Sequence, residues 1–202
     1  LLDDEMKGLI IDLRGNSGGL LSNSINILDK LTERSVNLLN TKGRIPKSNK
    51  AMNSRRAPMV PNEIPIAVLI NKSSASASEI VSGVLQDLDR AVIVGKKSFG
   101  KGLVQSMYNL NDTTTLKVTT AKYYTPSGRL IQKEDYLNNG FLTDNLDEQD
   151  SLFTTRGGRK VKGGGGITPD IDIARSSVPP YVQGLWRAGV FLAFSAEYVP
   201  MN

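Results

Sequence analysis

An α/β fold with one main buried sheet is predicted by three observations. Three short apolar runs, Gly8 to Leu13, Ile66 to Ile70 and Val92 to Gly95, read as strands enclosed by protein on both faces. The first two are each followed by a small-residue turn and then by apolar residues at three- and four-residue spacing, the period of a helix. Beyond the third run the pattern changes to period two, the mark of antiparallel ribbons. Strands alternating with helices belong to the α/β class.

Taken in order, the first strand is ended by Arg14-Gly15-Asn16-Ser17-Gly18-Gly19, and the helix after it carries its apolar stripe on Leu21, Ile25, Leu28 and Leu31. Val36 to Asn40 is a further short strand. Lys42, Arg44, Lys47, Lys50, Arg55 and Arg56 then follow with no acid between them and with Gly43 and Pro46 breaking any apolar period, which predicts a solvated loop. The strand Ile66 to Ile70, the turn Asn71 to Ala75 and a helix bearing Ile80, Val81, Val84, Leu85 and Leu88 form the second unit. Leu103 to Leu110 and Thr114 to Tyr124 alternate as ribbon strands. Asp135 to Lys162 is polar and reads as a long excursion. Gly163 to Gly166 is expected to be a hinge, and Val182 to Tyr198 a C-terminal helix.

Composition narrows the chemistry. With 39% hydrophobic and 22% charged residues over 202 positions, the chain has the make-up of a globular domain with a full core. No apolar run approaches the roughly twenty residues of a membrane-spanning helix, so no integral membrane segment is expected. The net charge of +5 is accounted for by the six cations of the basic loop, which argues against a nucleic-acid surface. There is no Cys and no His. Disulfides, thiolate metal sites, thiol nucleophiles and the Ser-His-Asp triad are therefore excluded, and acid-base work near pH 7 falls to a carboxylate or a lysine. No metal and no cofactor is called for.

Three stretches are candidates for chemistry. Ser73-Ser74-Ala75-Ser76-Ala77-Ser78-Glu79 lies between a strand end and a helix start, where ligands of open α/β sheets bind and where helix N–H groups favour negative charge. Ser76 and Glu79 also satisfy the S-x-x-E capping box, which needs no function. Gly100-Lys101-Gly102-Leu103-Val104-Gln105 places Lys101 and Gln105 on one face if it is a strand, although a lysine in a glycine turn is commonly a surface residue. Gly95 to Lys101 fits the P-loop pattern of a nucleotide binder, but Gly102 stands where that motif needs Ser or Thr, and the residues after it alternate like a strand. The turn Asn16 to Gly19 is either a plain connection or a set of backbone N–H groups facing a substrate oxygen.

Together, Ile11 to Gly19, Ser74 to Glu79 and Phe99 to Gln105 resemble, in order and spacing, the C-terminal processing peptidases, also called tail-specific proteases; Tyr123 to Arg129 and Gly166 to Ile171 match further family stretches. The resemblance implies a core similar to the crotonase and ClpP folds, with a β-ribbon and a C-terminal helix added to the main sheet. It implies a serine endopeptidase with Ser76 as nucleophile, Lys101 as general base and Gln105 supporting it. Ala77 and Gly18 or Gly19 would supply the oxyanion hole. It also implies that residues 1–174 are part of a protease core whose upstream segment and PDZ domain lie outside the chain, with 175–202 a helical extension. Flexible protein C-terminal tails as substrates, with no nucleic-acid partner, and a bacterial envelope or periplasmic location complete the expectation. A lysine acts as a base only when neutral, and Phe99, Leu103 and Val104 are apolar neighbours that favour that form. The rival reading from another class is a peptide-binding module of the same fold without catalysis.

Overall fold

The computed structural model describes residues 6–133, 151–174 and 179–201, which fall into two compact units, Leu1–Asp172 and Ile173–Asn202. Along the first unit come β1 (Leu9–Asp12), α1 (Leu21–Leu31), β2 (Asn37–Lys42), β3 (Lys50–Asn53), β4 (Ile66–Ile70), α2 (Ala77–Asp87), β5 (Val92–Gly95), β6 (Leu103–Asn109), β7 (Thr115–Tyr124), β8 (Leu152–Thr154), β9 (Lys160–Lys162) and β10 (Ile171–Asp172).

Strands β1, β4, β5 and β10 form a parallel sheet in that spatial order, with Leu9 opposite Ile66, Ala67 opposite Val92 and Val94 opposite Ile171. The apolar runs do become its strands, but β1 is an edge strand rather than one enclosed on both faces: Ile10 is 69% exposed. Along β1 the exposed Ile10 and Asp12 alternate with the partly covered Leu9 and Ile11, so one face of the strand is open, and a nearly continuous apolar run does not by itself establish enclosure. The period-two segments are not a lone ribbon. They pair as β6 and β7, and β7 also pairs with β2, which pairs with β3, giving a second, antiparallel sheet in the order β3-β2-β7-β6. Part of the basic loop is thereby a hairpin strand, because Lys50 to Asn53 finds main-chain partners on β2.

Helix α2 is buried from Ser78 to Asp87, and its Ile80, Val84 and Leu85 pack with Leu28 and Leu31 of α1, Leu38 and Leu39 of β2, Val68 and Ile70 of β4, Ile93 and Tyr123. One ion pair is enclosed beside this core. Arg129 lies 2.7 Å from Asp87, both side chains being at most 1% exposed, and also donates to the Lys162 carbonyl and Gln86 Oε1.

Part of the predicted excursion forms the β8–β9 hairpin, while its residues 135–150 lie outside the described ones. The four-glycine stretch is fastened rather than hinge-like: the N–H groups of Gly164, Gly165 and Gly166 donate to the carbonyls of Leu130, Gln132 and Ile131. In the second unit the expected single helix is two, α3 (Pro180–Arg187) and α4 (Val190–Met201), separated at Gly189 with φ 69°. Trp186 meets Phe191 edge-on across that turn. Among the described residues no helix is long and apolar enough to cross a membrane.

Candidate active site

Because β1, β4 and β5 run in one direction, the turns after them open at the same edge of the sheet, the usual site of ligands in such folds. All three sequence motifs are those turns. They are stitched together by main chain: Ala75 N–H donates to the Asn16 carbonyl at 3.1 Å, Lys96 N–H to the Ile70 carbonyl at 3.1 Å and Phe99 N–H to the Ser74 carbonyl at 2.9 Å. At the first turn Arg14 grips both oxygens of Asp12, and that pairing holds the Asp12 carboxyl down at about 2.

The serine run is sorted by this packing. Ser74 is fully buried, its hydroxyl donating to the Leu13 carbonyl, and Ser78 is 4% exposed with its hydroxyl on the Asn16 carbonyl. Both are occupied in joining turns. Ser76, between them, lines a cavity of about 320 Å³ together with Gly19, Leu20, Leu21, Ala77, Ile80, Lys101, Leu103, Val104, Gln105, Met107, Lys117 and Tyr123. Its backbone, at φ 55° and ψ −116°, occupies a conformation that side-chain-bearing residues rarely adopt. That sharp turn from strand to helix thrusts the side chain out at the helix start, the arrangement of a nucleophile elbow.

The capping box is present as well, so the structural and functional readings of Ser76 coexist: Glu79 Oε2 accepts the Ser76 N–H at 2.8 Å. Glu79 is completely buried and does more than cap. Its Oε2 also accepts the Lys101 N–H at 2.8 Å, and its Oε1 accepts the Ser98 hydroxyl and the Gly100 N–H, each at 2.6 Å. Burial raises the Glu79 carboxyl above the ordinary glutamate range, with these donors opposing the shift. From the other side, the buried Tyr123 hydroxyl donates to the Lys101 carbonyl and, at 3.4 Å, reaches that of Ser76.

The other expected residues converge on the same cavity. Both Lys101 and Gln105 line the cavity, but not as two positions of one regular strand: Lys101 precedes β6, and the register shifts between Val104 and Gln105. Leu103 and Val104 are the apolar neighbours of Lys101 there, whereas Phe99 is 45% exposed and does not line it. Of the two glycines, Gly18 has its N–H taken by Asn16 Oδ1 at 2.9 Å, while Gly19 borders the cavity beside Ala77. Since Gly102 leads into strand β6, the P-loop pattern lacks its helix.

Peptidase family S41 matches residues 1–141. The chain belongs to that family. It is 48% identical over 130 residues to a carboxy-terminal-processing protease of Bartonella bacilliformis, covering 64% of this chain and 29% of that protein. To a carboxyl-terminal-processing protease of Synechocystis it is 40% identical over 147 residues, covering 70% of this chain and 31% of the relative. The chain thus spans about a third of the length of these S41 relatives. Among solved structures, the photosystem II D1 C-terminal processing protease superposes on 92% of the chain and 39% of its own with a TM-score of 0.62 at 26% identity. Glu79 and Tyr123 are the residues beside Ser76 and Lys101 that motif reading undervalued. Glu79 reads as a helix cap closing the serine motif, and Tyr123 as part of an alternating strand and of the stretch Tyr123 to Arg129; neither reading gives their contacts to Ser76 and Lys101.

Proposed function

We propose that this chain carries the catalytic centre of a serine endopeptidase that trims flexible C-terminal tails, working through Ser76 and Lys101 on a core of the crotonase and ClpP type. The observation that carries this reading is the single cavity bordered by both side chains in a fold without any histidine. The Lys101 amine takes the Ser76 hydroxyl proton as the oxygen attacks the scissile carbonyl, and Gln105 orients that amine. The N–H groups of Ala77 and Gly19 receive the oxyanion. Gly19 is preferred to Gly18 because the Gly18 N–H is already engaged. Lys101 then returns the proton to the leaving amine, and water hydrolyses the acyl-enzyme.

Strand β6 is the outer strand of its sheet and borders the cavity, which favours a substrate lying beside it as an added strand. Main-chain pairing of that kind requires an extended segment, so flexible tails are cut and folded proteins spared. A location in the bacterial envelope belongs to the same reading. A fluorophosphonate reagent tests it: covalent labelling mapped to Ser76 and lost in Ser76→Ala is expected. Labelling elsewhere, or none in a protein that binds tails, would favour the peptide-binding module instead.

A further inference from the structure

The dyad residues lie on different turns, 25 positions apart in the chain: Ser76 on an elbow in a strained conformation, Lys101 between two glycines. Something must register them against each other. Two buried side chains contact the main chain of both.

Glu79 accepts the N–H of Ser76 and the N–H of Lys101 on a single oxygen, Oε2, at 2.8 Å each. Its other oxygen holds Gly100 N–H and the Ser98 hydroxyl, and Ser98 Oγ in turn accepts the Ile167 N–H at 2.7 Å. Tyr123, 2% exposed, points its hydroxyl at the carbonyls of the same two residues. A bare capping box would require only the Ser76 contact. The bonds to Lys101 have no role in starting a helix. Resting on the dyad reading above, we infer that Glu79 and Tyr123 are positioning residues: a buried acceptor and a buried donor that clamp the main chains of Ser76 and Lys101 and so fix the approach of nucleophile and base.

Chemistry distinguishes this from a packing role. In Glu79→Gln the shape is kept, but one carboxylate oxygen becomes an NH₂. Whichever way the amide lies, it confronts either the Ser76 and Lys101 N–H groups or the Gly100 N–H and Ser98 hydroxyl. In Tyr123→Phe the ring remains and the two carbonyl contacts go. Misplacement of reacting groups by about 1 Å costs about 100-fold in rate.

The test uses the natural polypeptide that carries this chain, with a flexible peptide substrate, active-site titration to count folded enzyme, and Tm by circular dichroism. Per titrated site, Glu79→Gln should lower kcat about 30-fold and Tyr123→Phe about 10-fold, with KM within twofold and the rate of Ser76 acylation falling in parallel. The double variant should lose less than the product of the two, since both act on one geometry. Values of kcat per folded site within twofold of wild type in Tyr123→Phe would overturn the clamp, and so would multiplicative losses or a KM effect alone. Should Glu79→Gln not fold, Tyr123→Phe decides by itself. Ser76→Ala run alongside separates the two claims. If it retains cleavage, the dyad reading has failed; if it is inactive and the clamp variants are not impaired, only the clamp has.

Discussion

Replacing Gly18 by alanine puts the proposed oxyanion turn under direct test. A Cβ at residue 18 would stand 2.6 Å from the Ala75 carbonyl oxygen, 2.9 Å from the Ala77 nitrogen and 2.9 Å from the Cβ of Ser76. Comfortable contact between such atoms lies near 3.5 Å, so the glycine turn and the nucleophile turn must separate by about 0.5–1 Å. None of the three obstructing atoms is the free end of a long side chain, so rotation of a neighbour does not relieve the clash. Residue 18 also has φ 102°, which adds about 1–2 kcal/mol for a residue bearing a Cβ. Loss of an oxyanion donor costs about 100- to 1000-fold in kcat. The expected result for Gly18→Ala is therefore a fall in kcat of about 100-fold with a Tm lower by several degrees. Gly19→Ala is the control: a Cβ there meets nothing within 4 Å and the N–H is kept, so activity should stay within about threefold. The assay is steady-state cleavage of a flexible peptide, paired with the rate of Ser76 acylation. Full activity in Gly18→Ala would refute the placement of this turn against the nucleophile.

Ser76→Ala and Ser76→Gly should both be inactive, yet thermal melts should find the glycine variant the more stable by about 1 kcal/mol, because φ 55° suits glycine. Lys101→Arg should be inactive although its charge is kept, since a guanidinium does not accept a proton at workable pH; cleavage above background up to pH 10 would count against Lys101 as base. Arg129→Met strands Asp87 in the interior and should cost about 3–5 kcal/mol in urea unfolding, much of it recovered in Arg129→Met with Asp87→Leu; additive losses would contradict this. For Glu79 the sign follows from its raised carboxyl: the folded state binds the proton more tightly than the unfolded chain. The stability of wild type minus that of Glu79→Gln should accordingly decline as pH rises from about 4 through the raised value and be level above it. A difference that grows with pH would reverse the assignment.

The sequence by itself determined the class of fold, the strand and helix pattern of both βα units, and the absence of imidazole and thiol chemistry, because local periodicity and composition suffice for these. The motif turns were legible for the same reason: in parallel βα units, a turn after a strand belongs to one edge wherever the strands end in order. Tertiary structure decided what depends on neighbours. Ile10 is exposed because it lies on the open face of β1, opposite the partly covered Leu9 and Ile11, and Lys50 to Asn53 is a strand because β2 is beside it. Periodicity does not distinguish Ser74, Ser76 and Ser78, and the choice of Ser76 rests on the family resemblance; in the structure the carbonyls of Leu13 and Asn16 engage the outer two hydroxyls and Ser76 lines the cavity. Glu79 is the clearest case. Its spacing from Ser76 announces a helix cap, but its bonds to Ser98, Gly100 and Lys101 cross 19 to 22 positions of sequence, and a hydrogen bond between distant turns leaves no periodic trace.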